Sequence, residues 1–197
     1  SHNPPKQVEH SKYLMLSSKN VLDNIITFDK PRYLSEKDFS AENKRTNLEV
    51  GDVLLTIVGT VGRCAVVEKL DRKITLQRSV AVLKPKKDLI ISRYLMFLLQ
   101  SFSDDLNKKA RGAAQKGVYL KSIRKILINL PPLEEQHNIV AKLDIAFNDI
   151  DLATKVVEKN MENINVFFQK FLDTQIFKNE KKYDKYLIDQ ICFLGDG

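Results

Sequence analysis

The chain has 197 residues, 43% of them hydrophobic and 29% charged, an ordinary balance for a globular protein. Residues 1–132 hold 24 Lys+Arg against 13 Asp+Glu (+11) and residues 133–197 hold 8 against 12 (−4), so the net +7 belongs to the first two-thirds. That asymmetry points to a polyanion partner for the first part only; no window approaches the ~18 consecutive apolar residues of a membrane span, and no signal-peptide pattern opens the chain.

In chain order, Lys12–Leu16 is read as a strand. Leu48–Asp52 turns into Val53–Val58, a run rich in β-branched residues and too short for a typical helix. Gly59-Thr60-Val61-Gly62 breaks it and Arg63–Val67 resumes, which predicts a hairpin with a glycine-bounded loop. Ile74–Leu76 and Ser79–Leu83 continue the β material until Lys84-Pro85-Lys86 stops it. The period then lengthens. Ser92 is the expected N-cap of a helix from Arg93 to about Lys109. A basic small-residue loop, Arg111–Gly117, follows, then a helical turn over Leu120–Lys125 and a buried strand over Ile126–Leu130, ended by Pro131-Pro132.

Leu133 to about Lys178 reads as one helix, free of proline and glycine. Its apolar seam is Leu143, Phe147, Ile150, Val157, Met161, Ile164, Phe168 and Phe171, a heptad pattern interrupted once, by Thr154. A helix of ~45 residues is about 68 Å long and cannot bury such a stripe alone. The seam therefore predicts a second long helix packed against it. Residues 179–197 are a polar break and a new apolar element from Tyr186 onward. The expected class is α+β, a mixed α/β first domain with a long α-helix: domain 1–132, helix 133–178, and a final segment 179–197.

Catalytic motifs are not legible. There is no glycine-rich phosphate loop and no nucleophile-and-base arrangement. Asn129-Leu130-Pro131-Pro132 departs from the Asn-Pro-Pro-aromatic motif of amino-methylating enzymes by an inserted leucine and a missing aromatic. His2, His10 and His137 lack metal-ligand spacing, and Cys64 and Cys192 are read as free thiols of a cytoplasmic protein. No metal or other cofactor is expected. What remains is three loops of small, basic and amide residues: Thr56, Gly59, Thr60, Gly62 and Arg63; Gln77, Arg78 and Ser79; Arg111, Gly112, Gln115, Lys116 and Gly117. Glycines admit a phosphate close to the backbone, and Arg, Lys and Gln hold phosphates or read purine edges. The DNA contacts expected are thus Thr56, Gly59, Thr60, Gly62, Arg63, Gln77, Arg78, Arg111, Gln115 and Lys116.

Three stretches also resemble a known family. GDVLLTIVGTVGRCAVV (51–67) looks like the hairpin of type I restriction-modification specificity subunits, and SVAVLKPKKDLIISRYLMFLLQS (79–101) like the strand and helix that follow it. GAAQKGVYLKSIRKILINLPPLEEQHNIVAKLD (112–144) is similar to the junction between target-recognition domain and long helix. The resemblance implies a non-catalytic subunit that reads one half of a split double-stranded DNA target. It also implies partners: methyltransferase (modification) subunits and a restriction-translocase subunit. A usual member carries two recognition domains and two helices; this chain has one of each. Reading Phe193-Leu194-Gly195-Asp196-Gly197 into Ser1-His2-Asn3-Pro4-Pro5-Lys6 gives a match to the family's Asp-Gly-Thr/Ser-His-x-x-Pro motif. The expectation is a circularly permuted half subunit, or else a fragment running from one domain into the next. In the first case residues 186–197 pair beside 1–16. The resemblance makes 1–132 a target-recognition domain and 133–178 a dimerisation and spacer helix, packed with a second copy in an antiparallel coiled coil, and has 179–197 return to the first domain; such a homodimer would read an inverted repeat whose halves lie at most about 20 base pairs apart, the length of the helix at 3.4 Å per pair. The competing readings are a coiled-coil DNA-binding regulator or adaptor outside restriction-modification and, more remotely, an enzyme of another kind.

Overall fold

A computed structural model of the chain describes residues 4–111, 120–178 and 184. Two compact units are present, Ser1–Lys142 and Leu143–Gly197. The boundary lies ten residues beyond the one expected at 132/133, because the start of the long helix belongs to the first unit.

Among its described residues the first unit holds two three-stranded sheets. In one, β1 (Tyr13–Leu16) lies between β2 (Arg32–Tyr33), antiparallel, and β5 (Lys73–Leu76), parallel, with Leu16 opposite Leu76. In the other, β3 (Val53–Thr56) lies between β4 (Cys64–Val66) and β6 (Val80–Leu83), antiparallel to both, with Leu55 opposite Cys64 and Thr56 opposite Val80. Every residue of β3 is buried, which is why Val53-Leu54-Leu55 is an apolar run instead of an alternation. Successive strand residues face opposite ways. Leu16 joins Val21, Leu54, Val67, Leu76 and Val80 in the main core, while Met15 packs with Leu34 and Phe39 in a second cluster.

Helix α1 (Glu36–Thr46) covers that second cluster and has no counterpart in the sequence reading. Its cap was legible: the Ser35 hydroxyl accepts the Asp38 N–H at 3.1 Å, and Asn47 closes the other end in the left-handed region. The helix expected over 93–109 is two, α2 (Ser92–Ser101) and α3 (Ser103–Arg111), separated at Phe102. Ser92 is not the cap. It is the first helical residue, and its hydroxyl donates to the Gly51 carbonyl at 2.6 Å, while Ile91 occupies the cap position. Leu120–Ile123 forms the short α4, as expected. The strand expected over Ile126–Leu130 is absent. The segment is irregular, with Leu127 95% exposed and Ile128 and Leu130 also exposed; an apolar run alone does not say what covers it.

Helix α5 (Leu133–Phe177) contains 45 residues. Its first turns are locked into the first unit by Gln136, which is fully buried. The Gln136 Oε1 accepts the Ile91 N–H at 2.9 Å, and its Nε2 donates to the Leu89 and Pro131 carbonyls at 2.9 and 2.8 Å. One amide thus satisfies the start of α2 and the chain entering α5, the physical content of the Pro-Pro-Leu-Glu-Glu-Gln stretch.

In the second unit, the seam is exposed from Phe147 to Phe171, with Leu143 half-buried. The polar interruption Thr154 is satisfied by its own helix, its hydroxyl donating to Ile150 at 2.9 Å. The apolar surface is wider than one heptad stripe, since Ile145, Leu152, Val156, Val166 and Phe167 are also exposed. Residues 186–197 and 1–3, with their expected pairing, lie outside the described residues. Among the described residues no helix is long and apolar enough to cross a membrane, and no group of His, Cys, Asp or Glu is placed to hold a metal.

Candidate nucleic-acid interface

The ends of β1, β3 and β5 bring three turns together, and Ser79 ties them. Its carbonyl accepts the N–H groups of Ile57 (2.9 Å) and Val58 (3.3 Å), and its hydroxyl accepts the Ser18 N–H (3.1 Å). The Gln77 N–H donates to Leu16 (2.8 Å) and its carbonyl accepts from Val80 (3.1 Å), so the Gln77–Ser79 turn is held at both ends. Two of the three loops singled out above therefore form one surface. They are joined there by Ser17–Lys19, which the sequence reading did not include. Its signal was a serine–asparagine turn: Asn20 Oδ1 accepts the Ser17 N–H at 3.0 Å.

Not every expected residue faces outward. Thr56 is fully buried. Its hydroxyl donates to the Thr60 carbonyl and accepts the Arg63 N–H at 3.0 Å, and its backbone pairs with Arg63 and Gly62. Thr56 thus closes the loop from within. Gly62 is buried at φ +97°, and a Cβ there would stand 2.9 Å from Ser103 Cβ and 3.1 Å from its Cα. That glycine lets the loop meet α3, where Asn107 Nδ2 also donates to the Val61 carbonyl (3.1 Å). Its smallness serves this close packing. Val58, Gly59, Thr60 and Arg78 are exposed, and Arg63 and Gln77 are half-buried. With Lys19, also exposed, these turns present three cations. Arg111 is the last residue of α3; its side chain, with Gln115 and Lys116, lies outside the described residues.

An ion pair with a buried carboxylate lies at the opposite end of β3 and β6, where Val53 pairs with Leu83. Asp52, 3% exposed, accepts from Lys84 Nζ at 2.9 and 3.3 Å and from the Glu49 N–H at 2.8 Å. Burial pulls the Lys84 ammonium down, but the hydrogen bond and charge of Asp52, with Glu49 beside it, outweigh this and leave its pKa above the usual lysine value. Cys64 in β4 is fully buried; that burial, with the nearby Asp23 charge, pushes its thiol pKa up to about 12.

Comparison with known proteins places this architecture. The Type I restriction modification DNA specificity domain matches residues 9–160. The EcoBI specificity subunit of a type I restriction enzyme, from Escherichia coli, is 30% identical over 146 residues, 73% of this chain and 30% of that protein. A putative type I restriction enzyme MjaX specificity subunit of Methanocaldococcus jannaschii is 26% identical over 160 residues, 78% of this chain and 36% of that protein. The chain thus spans about a third of the length of these relatives. Among solved structures, the HsdS subunit from Thermoanaerobacter tengcongensis is 25% identical with a TM-score of 0.50, over 64% of this chain and 30% of that one. A chain from a study of complex assembly and conformational transition of the type I R-M system gives a TM-score of 0.56 at 24% identity, with the same coverage, and shares the fold of two small sheets and a long helix. With more than half of its length matched by that one domain, the chain belongs to the family of type I restriction-modification DNA specificity domains.

Proposed function

We propose that the chain is a non-catalytic recognition subunit that reads one half of a bipartite double-stranded DNA target. It would carry methyltransferase and restriction-translocase subunits to that target. The observation that carries this reading is the junction of the Val58–Arg63 loop with the Gln77–Ser79 turn at Ser79. It gathers small, amide and cationic side chains on one rigid edge of a domain that is basic overall. Cations and backbone N–H groups position such an edge on phosphates, and amides and guanidinium groups read bases. The apolar seam of α5 supports association with a second copy, antiparallel, since exposed apolar stripes of this length mark a protein partner. The further apolar residues, Ile145, Leu152, Val156 and Phe167, offer a second face for the modification subunits.

Co-expression with a type I modification subunit tests the assembly. The expected result is a complex that methylates a restricted set of duplex sequences, with two copies of this chain by light scattering. A monomer at micromolar concentration, or methylation without sequence preference, overturns it. A regulator outside restriction-modification would bind DNA without retaining a modification subunit.

A further inference from the structure

Beside the Ser79 junction lies an open concavity of about 240 Å³. Its walls are half apolar, including Pro4, Met15 and Val58, and its polar groups include Gln77, Arg78 and Glu42. One cation and one carboxylate line it, and the carboxylate of Glu42 stands 3.6 Å from Arg45. That composition suits a phosphate poorly, because a phosphate site gathers several cations or N–H groups. It suits a base edge. Val58 is 45% exposed although its N–H is fixed to Ser79. In the major groove the apolar group offered to such a side chain is the thymine methyl. Gln77 has its backbone fixed at both ends, and its side-chain amide has no hydrogen-bond partner among the described residues. A glutamine amide presents a donor and an acceptor together, the complement of adenine N7 and N6.

We infer that Val58 and Gln77 are specificity-determining residues that together read an A·T pair at this concavity, Val58 against the thymine methyl and Gln77 against the adenine edge. The inference rests on the DNA-reading function proposed above and names what that surface reads. Arg78, at the same rim, then holds the adjoining phosphate or base.

The test is selection of bound sequences by the full chain from a random duplex pool, made once with thymidine and once with deoxyuridine, which lacks the methyl. The wild-type motif is expected to contain an A·T pair whose preference falls about fourfold in the deoxyuridine pool, the effect of one methyl. Val58→Ala is expected to lose the same preference and to be blind to the methyl, so that the two changes do not add. Gln77→Ala is expected to lose about 5- to 150-fold of preference at that pair. Both side chains are at the surface, and unchanged melting temperatures verify the fold. A wild-type motif that Val58→Ala and Gln77→Ala leave unaltered overturns this inference alone, as does a motif without such a pair. Failure of the wild type to enrich any motif overturns the DNA-reading function itself.

Discussion

Replacing Gly62 by alanine should damage the Val58–Arg63 loop more than replacing Gly59, although both glycines bound the same loop. Both have positive φ, +97° and +84°. Alanine at either position carries strain of about 1–3 kcal/mol. The surroundings differ. A Cβ on Gly59 meets only the Ser18 hydroxyl, at 3.3 Å, and a hydroxyl can rotate away. A Cβ on Gly62 meets Ser103 Cβ at 2.9 Å and Cα at 3.1 Å, backbone and near-backbone atoms at the start of α3. Overpacking of that kind adds about 1–3 kcal/mol. Gly62→Ala should therefore cost about 2–6 kcal/mol and lower Tm by about 6–18 °C, taking about 3 °C per kcal/mol for a domain of this size. Urea unfolding of both variants reads the difference directly, and Ser103→Gly should recover part of the loss in Gly62→Ala but none in Gly59→Ala. Equal destabilisation by the two alanines, or no coupling to Ser103, would refute the packing argument.

Other outcomes follow from the buried polar groups. Gln136→Leu leaves the Ile91 N–H and two carbonyls without their partner, so it should destabilise the first unit by about 2–4 kcal/mol in urea unfolding, against under 1 kcal/mol for the exposed neighbour Glu135→Leu. Lys84→Met strands the Asp52 carboxylate and should cost about 1–3 kcal/mol near neutral pH. Because the folded Lys84 pKa is raised, its contribution is fully present below the unfolded value of about 10.4 and is lost as pH rises through the folded value; the gap between wild type and Lys84→Met should be flat from about pH 6 to 9 and close above that. In a Cys192→Ser background, iodoacetamide at pH 8 should modify Cys64 only as fast as the chain unfolds, since its thiol titrates near 12 and is buried; fast modification of the native protein would contradict this.

Much of the architecture was legible in the sequence. The β3–β4 hairpin showed itself because a fully buried central strand needs consecutive apolar, β-branched residues and a glycine turn, and Val53–Val67 supplies both. The 45-residue helix was equally plain, since nothing in Leu133–Phe177 breaks it. Helix α1 escaped notice because it buries only Phe39 and Thr46, too few to make a periodic stripe, although Ser35 and Asp38 marked its start. Ile126–Leu130 misled because its composition is that of a strand while its surroundings leave it open. At the site, the loops were visible one by one. Their meeting was not, because it depends on the parallel pairing of Leu16 with Leu76 and the pairing of Thr56 with Val80, residues 60 and 24 positions apart. Nor did sequence reveal that Thr56 and Gly62 serve the loop's interior while Val58 faces outward.

The central claim is that the Ser79 junction lays cationic side chains on DNA. Filter binding of duplex DNA by the wild type and by Arg78→Ala, across a salt series, tests it most directly. The account predicts wild-type binding that weakens linearly in log–log form as salt rises, with Arg78→Ala binding less tightly and with its slope reduced by about one. Binding that ignores salt, or an Arg78→Ala variant identical to wild type in both affinity and slope, would contradict it.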